Sequence, residues 1–562
     1  MIRLFKQHYI RKVEELEGVW DFQLDGCDKV YRLAVPGCVE QHPDLLKTRG
    51  TGAYNREVYV EQNGNIRLEF KGVSHTGDVF WDGEQIAHHY NAFTGFSAVV
   101  RNAKKGWHRL EVRIDNTFGE HSSLHVPNDY YTYGGITRPV SMERVADIYI
   151  SGIHFTPYLE NGVWMGRLEI KIMNLAEEPA EISVESFLER EGDGGVSQLF
   201  PASGAGWNNV KVEPDSEIVF TAEQEFAGVA VWSHENPALY LWNTVLYVNG
   251  IPVDDMIDRV GFREVKVSGK RILINGKQIF LKGFNRHEDY ATVGCAVPFQ
   301  LMMQDMDLMT DMGANAVRTC HYPNDERFLD LCDERGIFVW EENHARGFGL
   351  ERMQNPNFDK QCKDCIHEMI ESHYNHPSII IWGILNECAS ETEEGREKYA
   401  RQYTQIKGLD TSRPTTSATC RHLKDICLDL PDIVSFNMYS GWYKDVPVEE
   451  TNQKEIDWIR ASGGDGKPII VSEFGAAAIY GCRDRARSKW SEERQADIIR
   501  ENLEVYMNHP DICGVFVWQF ADCRVTEEEW FSTRARCHNN KGIVDEYRRP
   551  KMAYDVISEM YR

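Results

Sequence analysis

Two apolar runs in this chain each end in a glutamate: SIIIWGILNE closes at Glu387, and KPIIVSEFG carries Glu473. The β-branched crowding at Ile379, Ile380 and Ile381, and again at Ile469, Ile470 and Val471, predicts parallel strands buried on both faces. A carboxylate where such a strand emerges suits the C-terminal mouth of a β/α barrel, the end at which catalytic groups sit. Two of them, from strands far apart in the chain, point to paired acid and nucleophile chemistry on a glycosidic bond. The other reading of either residue, taken alone, is a salt-bridged structural acid.

The elements that must position this pair follow a strand-then-helix rhythm over residues 268–562. The strand candidates are FLKGFN, NAVRTCHY, IFVWEEN, IIIWGILNE, TTSATC, IVSFNMY, PIIVSEFG and GVFVWQFAD. Helical segments such as FQLMMQDMDLMTDMG and SEERQADIIRENLEVYMN lie between them, the latter opening on Ser-x-x-Arg rather than a true capping box. Eight strands with interleaved helices predict a (β/α)8 TIM barrel, with Glu387 closing the fourth strand and Glu473 the seventh. Those strands lie across the mouth from each other, so the carboxylates are expected about 5 Å apart, the separation for a retaining double displacement. Ahead of the barrel, residues 1–145 contain short alternating segments (VWDFQL, REVYVE, NIRLEFKGV, TGDVFWDGEQI, HRLEVRIDN) that predict a β-sandwich. Residues 146–267 repeat that pattern with different content (DIYISGIHFTPY, RLEIKIMN, AEISVESFL, YLWNTVLYVNG), the mark of a second, smaller sandwich. EREGDGGVSQ is expected as a polar hairpin or loop within it.

Composition narrows the partners. With 562 residues the chain is too long for one core. A formal charge of −25 argues against nucleic acid or an anionic membrane as the main partner, and requires any site for an anionic substrate to supply its own local positive charge. The N-terminus has no apolar core of signal-peptide length and no later run approaches a membrane span, so a cytoplasmic protein is expected. Fourteen cysteines then read as reduced thiols rather than a disulfide framework. Cys362 and Cys365 form a lone CKDC, expected as a helical surface pair, because no second pair at metal spacing accompanies it. The absence of Walker, GxGxxG and HExxH motifs removes the simplest phosphate, dinucleotide and zinc readings; no cofactor or metal is expected.

WGILNE and VSEFG resemble the acid/base and nucleophile motifs of glycoside hydrolase family 2. The resemblance covers nearly the whole chain: KGFNRHED and GANAVRTCHYPNDERFLDLCDERGIFVWEEN are similar to the family's first three barrel strands, and LAVPGCVEQ, REVYV and TGDVFWDGEQI to its sugar-binding sandwich. It implies a jelly-roll-like β-sandwich, an immunoglobulin-like β-sandwich and a barrel. It also implies that Glu387 is the acid/base, Asn386 the ligand of the sugar 2-hydroxyl and Glu473 the nucleophile. His321 and, less directly, His287 become sugar contacts, although a strand-end histidine is also an ordinary satisfied polar residue. FNMYSGWY resembles the β-glucuronidase branch of the family, where the tyrosine matching Tyr439 lies beside the nucleophile; a phenol there holds the attacking carboxylate's pKa low. Tyr443 belongs to the same motif, with packing as the alternative for both. Trp518 is expected as the platform under the sugar ring.

RARCHNNKG bears on the sugar. By itself NNKG is a good turn. In context, Asn539 and Lys541 resemble the Asn-x-Lys step by which β-glucuronidases hold the C6 carboxylate and which β-galactosidases lack. A lysine and an amide are the counter-charge that a uronate needs in an acidic protein. Asp129, a turn aspartate or a sugar ligand, matches an acid lent by the amino-terminal domain. Two departures stand out. The segment after the third strand is short, which implies a more open mouth or one covered by a second subunit, a dimer or tetramer being the family's habit. Arg346 stands where the glucuronidases it resembles have an aliphatic residue, and a cation there suits a differently oriented 4-hydroxyl. The arginine expected four residues before Asn539 is Ala535, leaving Arg534 or Arg536 to compensate. The expectation is an exo-acting, retaining β-hexuronidase for uronide conjugates, with glucuronides as default and galacturonides as close competitor. The alternatives are a β-galactosidase and a non-catalytic carbohydrate-binding scaffold.

Overall fold

The computed structural model describes residues 2–190, 200–202 and 207–562. The amino-terminal region packs a four-stranded antiparallel sheet against a six-stranded one. Alternation builds its core: Trp20 and Phe22, Leu68 and Phe70, and Leu110, Val112 and Ile114 all point inward from their strands. Asp82–Gly83 takes positive φ at both residues to join the strands Thr76–Trp81 and Glu84–Tyr90, the backbone a two-residue hairpin requires.

A second sandwich follows, with its own core of Ile150, Ile170, Phe220, Trp242 and Phe262. Its sheets contain the long strands Ile148–Glu160, Val163–Asn174 and Ser216–Phe226 on one side, and Ala180–Arg190, Tyr240–Val248 and Ile251–Val260 on the other. Positions 191–198 of the expected EREGDGGVSQ hairpin lie outside the described residues.

Eight parallel strands then close a barrel: Leu281–Asn285, Ala316–Thr319, Phe338–Glu342, Ile379–Gly383, Thr415–Thr419, Ile433–Asn437, Ile469–Phe474 and Ile512–Val517. Side chains alternate between two layers. Phe338, Trp340, Ile433, Ile470 and Phe516 fill the interior, while Val317, Val339, Val434, Val471 and Val515 pack outward against the helices. The helices stop where their sequences say they should. Asp325 and Ser491 accept the cap hydrogen bonds of Glu326–Arg335 and Glu492–Tyr506, and Gly336 ends the former in the left-handed region.

Three expectations are corrected. The connection 420–432 between the fifth and sixth strands has turns in place of a helix, so the strand-helix alternation is interrupted once. Glu387 does not close the fourth strand, which ends at Gly383; it sits on the following turn with φ +55. Cys362 and Cys365 do lie on a helix, Phe358–His373, but on its buried face, because the i, i+3 step places both thiols toward the barrel. Among the described residues, no helix is long and apolar enough to cross a membrane.

Candidate active site

The strands deliver their polar residues to one end of the barrel, around a cavity of about 590 Å³. Glu473 is 2 % exposed. Arg318, from the second strand, donates to its Oε1 at 3.0 Å, and Tyr439, just past the sixth, donates to Oε2 at 2.7 Å. Glu387 receives Asn437 Nδ2 at 2.9 Å, and the Arg346 guanidinium lies 3.6 Å from its other oxygen. Asn437 is the strand-register partner of Glu473 and also donates to Asn386 Oδ1 at 3.3 Å. Arg318 holds the same oxygen at 2.8 Å, so the Asn386 amide is locked with its Nδ2 buried and unpartnered.

Burial raises the Glu473 carboxyl to about 7, and the neighbouring Glu387 charge adds to the rise. Arg318, the Tyr439 hydroxyl and Arg346 oppose them. The phenol therefore acts in the expected direction, but it is outweighed: desolvation and a like charge dominate. Glu473 therefore keeps its proton to a higher pH than an exposed carboxyl does.

The opposite wall is cationic. Lys541 is 1 % exposed, donates to the Tyr443 hydroxyl at 3.0 Å and faces the rings of Tyr439 and Tyr443 at 5.4 and 5.2 Å. No carboxylate lies within ion-pair distance of it among the described residues. Burial, the largest influence, lowers its pKa, and Arg534 works in the same direction. Burial would raise the Tyr443 phenol, but Lys541 and Arg534 together bring it below its ordinary value. Asn539 Nδ2 donates to Asp129 at 3.0 Å, and Arg534 Nε does so at 2.9 Å. Arg534 thus takes the place left by Ala535, while Arg536 turns away to Glu546. Beneath this wall the backbone N–H of Gly542 donates to Asp522, itself paired with Lys551 inside the fold. Arg346 spans the two ends: its Nη1 reaches Asn128 at 2.8 Å, and its Nε is buried without a partner.

Comparison with known proteins fits this arrangement. The model for "Glycosyl hydrolases family 2, TIM barrel domain" matches residues 265–562. The chain belongs to glycosyl hydrolase family 2. As a member it is similar to a β-galacturonidase from Eisenbergiella tayi bound to galacturonate, with 50% identity and a TM-score of 0.95 over 100% of this chain and 99% of that one. It is 26% identical to the β-glucuronidase of Sus scrofa over 98% of this chain and 90% of that protein. It is 27% identical to the β-glucuronidase of Streptococcus agalactiae over 96% and 94%. The chain is a glycoside hydrolase.

In this family 2 hydrolase the remaining expected residues also converge. Trp518 lines the cavity and stacks on His321, with ring centres 5.1 Å apart. His321 Nδ1 meets Glu342 at 2.8 Å and His287 Nδ1 meets Tyr322 at 3.2 Å, which leaves both Nε2 atoms buried without a hydrogen bond, that of His321 lying 3.9 Å from Glu473 Oε1. Burial, reinforced by Arg346 and Arg318, lowers His287 to about 3, so it is neutral. His287, Cys320 and His321 bring donor atoms within 4.8 Å of one another, close enough for one metal ion to be held between them; in a second such cluster, Asp330, Asp333 and His376, the two carboxylates are engaged by Arg3 and the Ser378 backbone. The short segment after the third strand folds down, with Asn355 and Asn357 donating to the Glu120 carbonyl and Arg352 pairing with Glu529.

Arg318, Glu342 and Asn437 were not legible as site residues. Arg318 lies within the apolar strand NAVRT and Asn437 within IVSFN, where one polar residue carries no spacing signal. The available clue was physical: a cation in a strand buried on both faces needs partners, and barrel ends are where partners gather.

Proposed function

We propose that the chain is an exo-acting, retaining β-hexuronidase that prefers galacturonides. The observation that carries the uronide class is Lys541: a buried ammonium that lines the cavity, with a phenol and an amide beside it and, among the described residues, no carboxylate within ion-pair distance. Leaving a charge in that state is costly unless a ligand supplies the counter-ion. A substrate carboxylate does so, and a neutral hexose does not.

In this mechanism Glu473 attacks the anomeric carbon while Glu387 protonates the departing oxygen. Glu387 then takes a proton from the water that releases the sugar. The first step needs Glu387 protonated and Glu473 ionised; in the second, Glu473 is the sugar ester and Glu387 the carboxylate. Arg318 and Tyr439 favour placing the negative charge on Glu473, Asn386 Nδ2 is free for the 2-hydroxyl, and Trp518 lies under the ring. The 4-epimer rests on Arg346. Its free Nε–H, held between Glu387 and the Asn128–Asp129 corner, suits an axial hydroxyl, and the 50% identical galacturonidase supports the same choice over the more distant glucuronidases. Glucuronide activity is the second reading, favoured by the near full-length glucuronidase relatives.

The test compares nitrophenyl galacturonide, glucuronide and galactoside on the wild type and on Arg346→Ala. The expected order is galacturonide first, with the uronide ratio moving toward glucuronide in the variant. Preference for the neutral galactoside would sink the uronate assignment.

A further inference from the structure

The cavity is larger than the sugar pocket. Beyond Glu387 it continues into a lobe walled by the loops after the fifth and sixth strands, where the 420–432 connection lacks a helix. Cys420 and His422 stand close enough to Glu387 for its charge to act on both. Leu423, Val446 and Thr451 form the sides, and Lys444 and Lys454 stand at the rim. We infer that this lobe is a leaving-group subsite for an anionic sugar, a hexuronate whose carboxylate meets Lys444 and Lys454.

The charge balance carries the inference. The acids lining the cavity are each engaged: Glu473 by Arg318, Glu387 by Asn437, Asp129 by Arg534 and Glu455 by His422 at 2.9 Å. Lys444 and Lys454 have no ion-pair partner among the described residues. Two lysines without an ion pair thus border the lobe in a protein of net charge −25, while the acids of the same segment, Asp445, Glu449 and Glu450, are not among the residues that line it. Leu423 and Val446 offer apolar surface to a ring face, which sugars and aryl groups share; the lysines discriminate by charge. The location follows from the reading of Glu387 as the acid that protonates the leaving oxygen, because the group on that oxygen must lie on the Glu387 side.

The experiment uses the full-length enzyme and a β-linked hexuronate disaccharide in two forms, one with the leaving sugar's carboxylate free and one with it methyl-esterified. Esterification removes the charge and barely changes the shape, and both forms present the same uronate to Lys541. At low salt the wild type is expected to cleave the free acid about tenfold better in kcat/KM, an advantage that shrinks in 0.5 M NaCl as exposed charges are screened. In Lys444→Ala/Lys454→Ala the ratio should fall to near one, and in Lys454→Glu below one. Because each ratio is measured within one enzyme, loss of folded protein cancels. A ratio near one in the wild type, or one unchanged in the double variant, overturns the inference. Failure of the hexuronidase reading gives a different result: neither form is cleaved while a neutral nitrophenyl hexoside is.

Discussion

Glu473→Gln should stabilise the protein in alkaline but not in acidic solution. The carboxyl sits at about 7 in the fold against 4.5 when exposed. The folded state therefore holds its proton more tightly than the unfolded chain. The associated stability is complete below pH 4.5 and is lost as pH rises through 7. At about 1.36 kcal/mol per pH unit, the ionised carboxylate costs the fold roughly 3 kcal/mol in the free enzyme. Glutamine keeps the shape and removes the ionisation. Thermal midpoints of both proteins, measured at one scan rate from about pH 3 to pH 8.5, should keep a constant separation below pH 4.5 and diverge between pH 4.5 and 7. The variant should then gain roughly 3 °C relative to wild type by pH 8. Any packing or hydrogen-bond difference introduced by the amide is independent of pH and shifts only the baseline. Glu387→Gln serves as the cross-check: with the like charge gone, the wild-type alkaline decline should move to lower pH without vanishing, since burial is the larger cause. Parallel curves for wild type and Glu473→Gln would refute the claim that this carboxyl carries the desolvation cost.

Other outcomes follow from the same geometry. Lys541→Met should lower kcat/KM on nitrophenyl uronides by about 10³-fold and leave any weak activity on the neutral galactoside in place, because only the uronate loses its partner. Tyr439→Phe removes a hydrogen bond that favours ionised Glu473; the pKa rises, so the acid limb of the kcat/KM profile should move to higher pH. Arg318→Met leaves Glu342 and Glu473 buried without their shared cation, and about 3–5 kcal/mol of stability should be lost in a denaturant titration at pH 8. Gly542→Ala would place a Cβ 2.2 Å from the Asp522 nitrogen, so the backbone carrying Lys541 must shift; KM for uronides should rise before stability collapses.

Much of this molecule was legible because its architecture is written in short-range patterns. Each barrel strand candidate coincides with a strand, since runs such as IIIWG and IIVSEF are buried throughout and no other element tolerates them. The helix Glu492–Tyr506 was legible from its periodicity, whereas the cap at Ser491 was not read, because Ser-x-x-Arg is not a true capping box. What escaped notice was set by neighbours distant in the chain. Arg318 and Glu473 are 155 residues apart, and Arg534 and Asp129 are 405, so neither pairing leaves a trace in spacing. The Cys362–Cys365 helix was legible but its buried face was not, because charged residues fill the gap between them. The pKa of Glu473 required the fold itself, since partner bonds and burial act in opposite directions and only their geometry decides the winner.

Asp129 comes from the amino-terminal sandwich, yet it holds Arg534 and Asn539 of the barrel in place. Substrate choice is therefore not the property of a module. A barrel grafted onto a foreign sandwich would keep both glutamates and lose the brace that sets the cationic wall. Exchange of parts among relatives should preserve bond cleavage more readily than sugar recognition, and new specificities should arise by paired changes across this seam.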